Sequence, residues 1–243
     1  RLGHGVVPTA AGAQMLAAAE PLLRSMKVFD GNVRLLAAGD AGSTRLGLPP
    51  LLASQILADL AKGFFTASGR IEMRLSIRAA PLLLDELKSD SIEFMIFAET
   101  QIEPEADIVI EPIGWIYPAL VARRGHPLAG RRGLSIADLA EFPWAGSAEP
   151  PAMGAMLNPG RFLCDNYHGL RDAVIGTDLL CICTRAFVAA ELASGALVEL
   201  DSPGFLTDRL QVYVASPRGR MHSPLAKAAI GRIGELLAQS DLA

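Results

Sequence analysis

The sequence contains few cysteines and few aromatic residues: three cysteines in 243 residues, with aromatic residues making up 6% of the chain. An odd number of thiols argues against a disulfide-stabilised secreted domain and favours a reducing compartment such as the cytoplasm. Cys181 and Cys183 share one face of a predicted strand, LLCIC. Because no CxxC pair or neighbouring histidine accompanies them, we predict buried thiols without a metal or redox role.

Long apolar runs and an excess of positive charge are also missing. Hydrophobic residues make up 51% of the chain, yet every apolar run ends before the roughly 18 residues that a membrane-spanning helix needs. The opening residues RLGHGVVPT contain no apolar stretch of signal-peptide length. The formal charge of −4 excludes the basic face of a free-standing nucleic-acid binder. We therefore predict a cytoplasmic protein without a membrane partner.

The motifs of common enzyme classes are absent from the sequence. It contains no GxSxG, P-loop, HExxH or complete GxGxxG motif, and no Cys–His pair at useful spacing. Its carboxylates are scattered over predicted helix faces and loops, which is unlike a pair arranged for acid–base chemistry. The sequence thus predicts no catalytic residue, no metal ligand and no cofactor, and the protein is not expected to be an enzyme.

Residues 44–77 are predicted to form a strand–helix–strand unit. Residues 45–48 form a short apolar strand that the prolines Pro49 and Pro50 end, and residues 71–77 alternate apolar and polar side chains. Between them, apolar residues recur at helical spacing: Leu52, Ile56, Leu57, Leu60 and Phe64. The two strands of such a unit are parallel, and ligands bind beyond their carboxyl ends. The turns at residues 48–51 and 77–80 are therefore predicted to face a small molecule.

The remaining sequence repeats this alternation, so the predicted fold class is α/β with two units of similar size. We predict a helix from Pro81, a third parallel strand at residues 92–98, and strands at 108–113 and 116–122 divided near Gly114 and Trp115. Later strands are predicted at residues 142–146, 161–166, 179–183, 196–200 and 210–215, with helices at 135–141, 167–175, 185–194 and 223–239. Two strand-like crossings would join the units and leave a cleft between them.

A long helix is predicted to precede these units, with Thr9 as its N-cap. Apolar residues follow one another at intervals of four and three residues: Met15, Ala19, Leu22, Met26, Phe29, Val33 and Leu36. This heptad seam favours dimerisation through the helix, and packing onto the chain's own body is the alternative. Pro21 removes one backbone hydrogen bond at a cost of roughly 3 kcal/mol, so we expect a kink there.

Six segments follow one another along the chain: RLGHGVVPTAAG (residues 1–12), residues 45–48 with the following helix, GHPLA (125–129), LSIADLAEFPW (134–144), VIG (174–176) and LASGALV (192–198). In their order and spacing, which cover nearly the whole chain, they resemble the LysR-type bacterial transcriptional regulators. Two features depart from the family pattern: Glu93 stands where aspartate is commoner, and Thr177 with Asp178 replaces a second glycine after Gly176.

The resemblance implies two Rossmann-like subdomains of the periplasmic-binding-protein type II kind after a long linker helix. Residues 1–8 would be a remnant of a winged helix-turn-helix wing, and residues 9–38 the linker and dimerisation helix. Subdomain I would comprise residues 44–113 with 215–243, and subdomain II residues 114–214. DNA would be bound only through the missing N-terminal winged helix-turn-helix. Arg1 and His4 could contact phosphates, although a disordered terminus is the expected alternative.

In this family the cleft holds a small, often carboxylate-bearing effector that controls DNA binding and transcription, and the protomers form a homodimer or homotetramer. The predicted effector-binding residues follow the strand ends: Pro49, Pro50, Leu51, Ser54, Arg78, Phe97, Ser147, Asn166, Tyr167, His168 and Thr184. Arg78 is the predicted carboxylate anchor, and the apolar turn at residues 48–51 favours an effector with a hydrophobic or aromatic part.

Arg78, Phe97 and the polar turn residues of the second unit also have a structural alternative. Arg78 could pair with Asp85 or solvent, Phe97 could fill the core, and the polar turn residues could cap their own helices. His126 is predicted to be structural, at the loop entering subdomain II. The rival function is a solute-binding protein of a transporter, which has the same bilobal fold. The heptad helix, the lack of an export signal and the unpaired thiols argue against it.

Overall fold

The computed structural model describes residues 8–20, 22–23, 26, 42–65, 71–98, 106–148 and 160–239. The predicted wing remnant, including Arg1 and His4, lies outside these residues except for Pro8. Pro21 and the seam residues Phe29, Val33 and Leu36 lie outside them as well, so the expected kink falls there too. No helix of the described residues is long and apolar enough to cross a membrane.

The chain folds into two lobes, each built on a five-stranded sheet. The first sheet contains β1 (Gly42–Leu48), β2 (Ile71–Ile77), β3 (Phe94–Ala98), β4 (Ile108–Ile116) and β10 (Leu210–Pro217), in the order β2-β1-β3-β10-β4. The second contains β5 (Pro118–Arg123), β6 (Trp144–Gly146), β7 (Arg161–Leu163), β8 (Leu180–Thr184) and β9 (Leu197–Glu199), in the order β7-β6-β8-β5-β9. The predicted α/β architecture with two Rossmann-like lobes is confirmed.

Helices cover both sheets. α1 (residues 10–20) precedes β1. The first lobe carries α2 (Pro50–Phe64), α3 (Ala80–Lys88) and α7 (Pro224–Gln239), and the second carries α4 (Ile136–Ala140), α5 (Tyr167–Gly176) and α6 (Ala189–Ser194). α6 begins later than predicted because residues 185–188 form a turn in which the backbone N–H of Phe187 donates to the carbonyl oxygen of Thr184.

The strand–helix–strand unit has the predicted parallel pairing, with Leu48 opposite Ile77. The apolar stripe of α2 is buried against this sheet, and Leu52, Ile56 and Leu60 are each at most 2% exposed. α3 packs on the opposite face of the sheet, where a Cβ on Gly47 would lie 2.8 Å from side-chain atoms of Leu83. Glycine at position 47 therefore permits the close approach of α3 to β1.

The first crossing between the lobes lies at Tyr117, and the predicted strand break at Gly114 and Trp115 is wrong. β4 runs without interruption through Gly114 to Ile116. The pairing of β4 with β10 shifts its register between Val212 and Tyr213, opposite Gly114, and β4 continues through this position. A Cβ on Gly114 would lie 2.7 Å from that of Leu237, so the glycine serves close packing against α7 and does not end the strand.

β10 returns to the first sheet, where it pairs antiparallel with β3 and β4. Residues 210–214 were expected in the second subdomain, but they form the first part of this strand. The boundary between the subdomains therefore differs from the predicted one, because β10 belongs to a sheet whose first strand begins more than 160 residues earlier in the sequence. The second crossing consequently lies between β9 and β10, in residues 200–209.

The described part of the N-terminal helix begins as predicted. The side-chain oxygen of Thr9 accepts a hydrogen bond from the backbone N–H of Gly12 at 3.1 Å, as expected of an N-cap. Three residues of the seam are largely exposed: Met15 at 75%, Leu22 at 66% and Met26 at 62%. Packing of these side chains onto the chain's own body is therefore not observed.

Candidate functional site

The two lobes meet at the start of α2. The carboxyl ends of the parallel strands β1 and β2 lie side by side there, and the backbone N–H of Arg78 donates to the carbonyl oxygen of Leu48 at 3.3 Å. α2 extends from this edge and contacts α5 and β8 of the second lobe. This edge of the first sheet therefore lies next to the second lobe, and ligands of open α/β sheets bind beyond such strand ends.

Leu51, in the first turn of α2, packs against the hydrophobic cores of both lobes. Pro49 precedes the helix without a side-chain cap, and Pro50 occupies its first turn. Neither proline has a backbone N–H to offer an anion. The residues predicted at this turn therefore lie at the interlobe contact and give it an apolar surface.

Ser54 and Phe97 make contacts within the first lobe. The Ser54 hydroxyl donates a hydrogen bond of 2.7 Å to the carbonyl oxygen of Leu51. Phe97 is 2% exposed and stacks on Tyr213, with ring centroids 5.5 Å apart, in the core beneath α3. For Phe97 this is the alternative in which the side chain fills the core.

Arg78 follows β2 at the interlobe edge, where its side chain forms an ion pair. The distance from its Nε to Oε1 of Glu86 is 2.9 Å, and the Arg78 side chain remains 58% exposed. The alternative predicted Asp85 as partner, but the ion pair is formed with the next residue of α3. Because both partners reach solvent, the pair holds the guanidinium at this edge only weakly.

On the second lobe, two of the predicted effector-binding residues, Ser147 and Tyr167, lie next to each other. The Ser147 hydroxyl oxygen lies 3.5 Å from the phenol oxygen of Tyr167. Burial raises the pKa of Tyr167 to about 12, although its contact with Ser147 acts in the opposite direction. The phenol is therefore neutral at physiological pH and can donate or accept a hydrogen bond.

The other residues at the start of α5 have partners of their own. The Asn166 side-chain oxygen accepts a hydrogen bond from the backbone N–H of Gly169 at 3.2 Å, so Asn166 caps α5. His168 is exposed and contacts the ring of Phe187 edge-on, with centroids 5.0 Å apart. Phe187 also contacts Tyr167 at 6.4 Å and lies 5.7 Å from the guanidinium carbon of Arg171.

The sequence analysis did not predict Phe187, although its ring contacts three residues at the start of α5. The only indication in the sequence was its position, an aromatic residue three positions beyond the end of β8.

Thr184, which was predicted as a site residue at the end of β8, is fully buried. Alternation along β8 puts its side chain on the same face as Leu180 and Ile182, opposite the cysteines that pack with Tyr167. The structure thus separates Thr184 from the Ser147–Tyr167 pair.

His126 is buried in the second lobe, at 3% exposure. Its Nδ1 accepts a hydrogen bond from the backbone N–H of Leu128 at 3.1 Å, and its Nε2 lies 3.3 Å from the carbonyl oxygen of Asp178. This arrangement requires a neutral ring whose proton is on Nε2. Burial accordingly lowers the pKa of His126. Asp178, which departs from the family pattern, also forms an ion pair with Arg123 at 2.7 Å.

Within the part of the chain that the structure describes, no group of three or more His, Cys, Asp or Glu side chains could hold a metal ion. The three cysteines are unpaired. Burial raises the pKa of Cys181 to about 12 and that of Cys183 well above its ordinary value. Both thiols pack in the core of the second lobe, as predicted for LLCIC.

Comparison with known proteins identifies the family. The model of the LysR substrate binding domain matches residues 37–238. The SDS degradation transcriptional activation protein of Pseudomonas sp. (strain ATCC 19151) is 30% identical over 235 residues, which cover 93% of this chain and 77% of that protein. The RuBisCO operon transcriptional regulator of Allochromatium vinosum is 27% identical over 242 residues, with coverage of 94% and 78%.

Solved structures share the fold. The Synechocystis PCC6803 CcmR regulatory domain in complex with 2-PG superposes with a TM-score of 0.63 at 19% identity, covering 82% of this chain and 97% of that one. The family model spans most of the sequence, and the 30% identity to the Pseudomonas regulator extends over most of both proteins. The chain therefore belongs to the LysR substrate binding domain family and contains the effector-binding domain of a LysR-type transcriptional regulator.

Proposed function

We propose that the effector of this regulator binds where α2 meets α5 and β8, and that it combines an acidic head with an apolar body. One observation carries this proposal: Leu51 packs against the cores of both lobes. A molecule bound beside it contacts both lobes and changes their relative placement if its affinity differs between two arrangements.

The apolar body of the effector would lie against the turn of Pro49, Pro50 and Leu51. The Ser147–Tyr167 pair, 3.5 Å apart, offers neutral hydrogen-bonding groups from the opposite lobe. The name of the Pseudomonas relative refers to the degradation of SDS, an anion with a long alkyl chain. This name, together with the apolar turn, makes alkyl sulfates and fatty or aromatic carboxylates suitable test compounds.

Arg78 is the proposed anchor for the acidic head. Binding of the acidic head would break the ion pair between Arg78 and Glu86. Exposed ion pairs contribute about 0–1 kcal/mol, so the exchange costs little. The proposed contacts are Arg78 for the acidic head, Ser147 and Tyr167 for hydrogen bonds, and Pro49, Pro50 and Leu51 for the apolar body. Ser54 and Asn166 bond to the backbone of their own helices, and His168 contacts Phe187.

Two protomers are proposed to associate through α1. The exposed side chains of Met15, Leu22 and Met26 follow the four- and three-residue spacing of a coiled-coil seam. DNA is the other proposed partner of the whole regulator, since relatives of this chain are transcriptional regulators. For such a role we also propose a cytoplasmic location and no catalytic activity.

A thermal-shift screen of small carboxylates, aromatic acids and alkyl sulfates tests the effector site, because a ligand that binds only the folded protein raises its melting temperature. Arg78→Ala should abolish the shift given by an acidic hit while changing the unliganded melting temperature by only about a degree or two. Arg74→Ala is the matched control, since Arg74 pairs with Glu72 at 2.6 Å on the exposed face of β2. Equal shifts in both variants would remove Arg78 from the site.

The alternative function, a solute-binding protein of a transporter, is not favoured, because the matching family model is the LysR substrate binding domain and the relatives are transcriptional regulators. Sedimentation velocity at micromolar protein concentration tests the association through α1 and should show a dimer or tetramer. A monomer would contradict the proposed role of α1.

A further inference from the structure

A cavity of about 780 Å³ lies in the second lobe, apart from the interlobe contact. Its walls include both crossings between the lobes, Tyr117 with Pro118 and residues 200–208, together with Leu120, Arg185 and Glu199. Its volume is in the range of small-molecule sites, roughly 300–1,000 Å³. No residue of the Leu51 contact lines it, so the cavity is separate from the proposed effector site.

Two buried polar groups lie behind the walls of this cavity. Thr184 pairs directly with Pro118 across β5 and β8, so the two side chains share one face of the sheet. Thr184 is fully buried, and its hydroxyl has no hydrogen-bond partner among the described residues. Trp144 is 1% exposed, and its ring centroid lies 5.7 Å from that of Phe205, a cavity residue. Its indole N–H likewise has no partner in the part of the chain that is described.

The charge of the lining favours a cation. One arginine and three carboxylates line the cavity, so its net charge is −2. Arg185 is neutralised by Glu199, whose two oxygens lie 2.6 and 3.0 Å from the guanidinium nitrogens. Asp201 accepts a hydrogen bond from the backbone N–H of Gly133 at 3.2 Å, and Asp208 is exposed. A concave surface with fixed charges of one sign attracts a ligand of opposite charge.

The apolar residues of the lining indicate which non-polar groups a ligand of this cavity would carry. Tyr117 and Phe205 supply aromatic rings and Leu206 supplies aliphatic surface, whereas Leu120 and Leu200 are only 2% and 5% exposed. Aromatic faces attract organic cations as well as apolar groups. A hydrophobic body carrying an ammonium group therefore matches both properties of the cavity.

We propose that this cavity is a second ligand site, which binds a small organic cation with an aromatic or aliphatic body. The ammonium group lies towards Asp201 and Asp208, and the body lies against Phe205 and Leu206, which are both partly exposed. The ligand contacts both crossings between the lobes, unlike a molecule bound beside Leu51.

Calorimetric titration with three probes of nearly equal size tests the ligand class. 2-Phenylethylammonium should bind, 2-phenylethanol should bind more weakly, and phenylacetate should show no binding. Equal affinity for the ammonium and carboxylate probes, or no binding of the ammonium probe at about 10 mM, a concentration suited to weak small ligands, overturns the proposal.

Two variants and one control locate the binding. Thr207→Trp places a large indole at the cavity wall and should weaken binding of 2-phenylethylammonium strongly, and Asp208→Asn should weaken it by about threefold, as expected for an exposed charge. Both positions are exposed, so the variants should fold. Glu235→Gln makes the same kind of charge change on α7, where Glu235 is 65% exposed, and should leave binding unchanged. Full binding by Thr207→Trp overturns the proposed location.

Nuclear magnetic resonance gives a direct readout at the cavity wall. The chain has two tryptophans, Trp115 and Trp144, so their indole N–H signals can be assigned with Trp115→Phe. The Trp144 signal should shift on addition of 2-phenylethylammonium. An unchanged Trp144 signal at saturation contradicts binding in this cavity. A Leu51→Ala variant that keeps this shift would show that the second site is independent of the proposed effector site.

Discussion

The carboxylate of Glu93, in the turn before β3, lies 2.6 Å from the backbone nitrogen of Ser223 at the start of α7. It also accepts hydrogen bonds from the hydroxyls of Thr44 at 3.0 Å and Ser223 at 3.1 Å, and it is 8% exposed. One carboxylate thus joins β1, β3 and α7, and its negative charge lies near a helix N-terminus, where it is stabilising.

Glu93→Gln should lower the free energy of unfolding by about 1.5–3 kcal/mol, the range for hydrogen bonds to charged groups. The amide removes the negative charge and presents a donor to groups that also donate. Urea denaturation measures the change. Glu235→Gln, an exposed carboxylate paired with Arg232 on the same helix, should change stability by no more than about 0.5 kcal/mol. Equal losses in the two variants would contradict the role of Glu93.

Acidification should destabilise the protein through His126 and His222. Burial lowers the pKa of both from 6.5, although Asp178 opposes this effect at His126 and Glu93 with Glu111 opposes it at His222. Below pH 6.5 the unfolded chain binds more protons at these residues than the folded protein, so stability is lost as the pH falls through the folded-state values. Urea denaturation at intervals from pH 7.5 to 5 measures the slope.

His222→Asn isolates one of these contributions. Below pH 6.5, the stability of this variant should fall less steeply than that of the wild type, because one titrating group has been removed. Parallel curves for the wild type and His222→Asn would mean that His222 does not contribute.

Leu51→Ala should weaken the contact between the lobes. Leu51 is only partly buried, so we expect a loss of about 1–2 kcal/mol, below the range for fully buried leucines. Small-angle X-ray scattering should show a larger radius of gyration. Leu82→Ala, at a position that is 51% exposed, should change neither quantity. An unchanged radius for Leu51→Ala would show that other contacts hold the lobes together.

Charges introduced on the seam of α1 should disrupt association. The pair of substitutions Met15→Glu and Leu22→Glu should shift the protein towards monomer in sedimentation velocity, because like charges would face each other across a coiled coil. Ala13→Glu with Ala17→Glu adds the same charge at exposed positions off the seam and should leave the oligomer intact. Dissociation in both variants would point to a general charge effect.

The buried thiols should resist modification in the native protein. With a pKa of about 12, Cys181 has a thiolate fraction on the order of one in ten thousand at pH 8, and the thiolate is the reactive form. At most the partly buried Cys164 should react rapidly with Ellman's reagent. All three cysteines should react in urea, which provides the control. Rapid labelling of three thiols without denaturant would contradict the packing of β8.

Local patterns in the sequence predicted most of the elements. Two prolines marked the boundary between β1 and α2, the helical spacing of apolar residues gave α2, and alternation gave β2. The same spacing indicated the buried face of α7. These patterns are visible in the sequence because each repeats within one element.

Contacts between distant residues account for what could not be predicted. Glu93 and Ser223 are 130 positions apart, and nothing near either residue indicates the other. The pairing of Arg78 with Glu86 depends on how α3 lies against β2. The burial of Phe97 depends on how β3 is placed between β1 and β10. The position of β10 in the first sheet depends on the fold of the whole chain.

The position of β10 has a consequence for synthesis on the ribosome. The strands of the second lobe are contiguous in sequence, from Pro118 to Glu199, so that lobe can fold as soon as it emerges. The first lobe lacks an interior strand and its longest helix until the last residues are made. A nascent or prematurely terminated chain would therefore expose the edges of β3 and β4, which are surfaces suited to chaperone recognition or degradation.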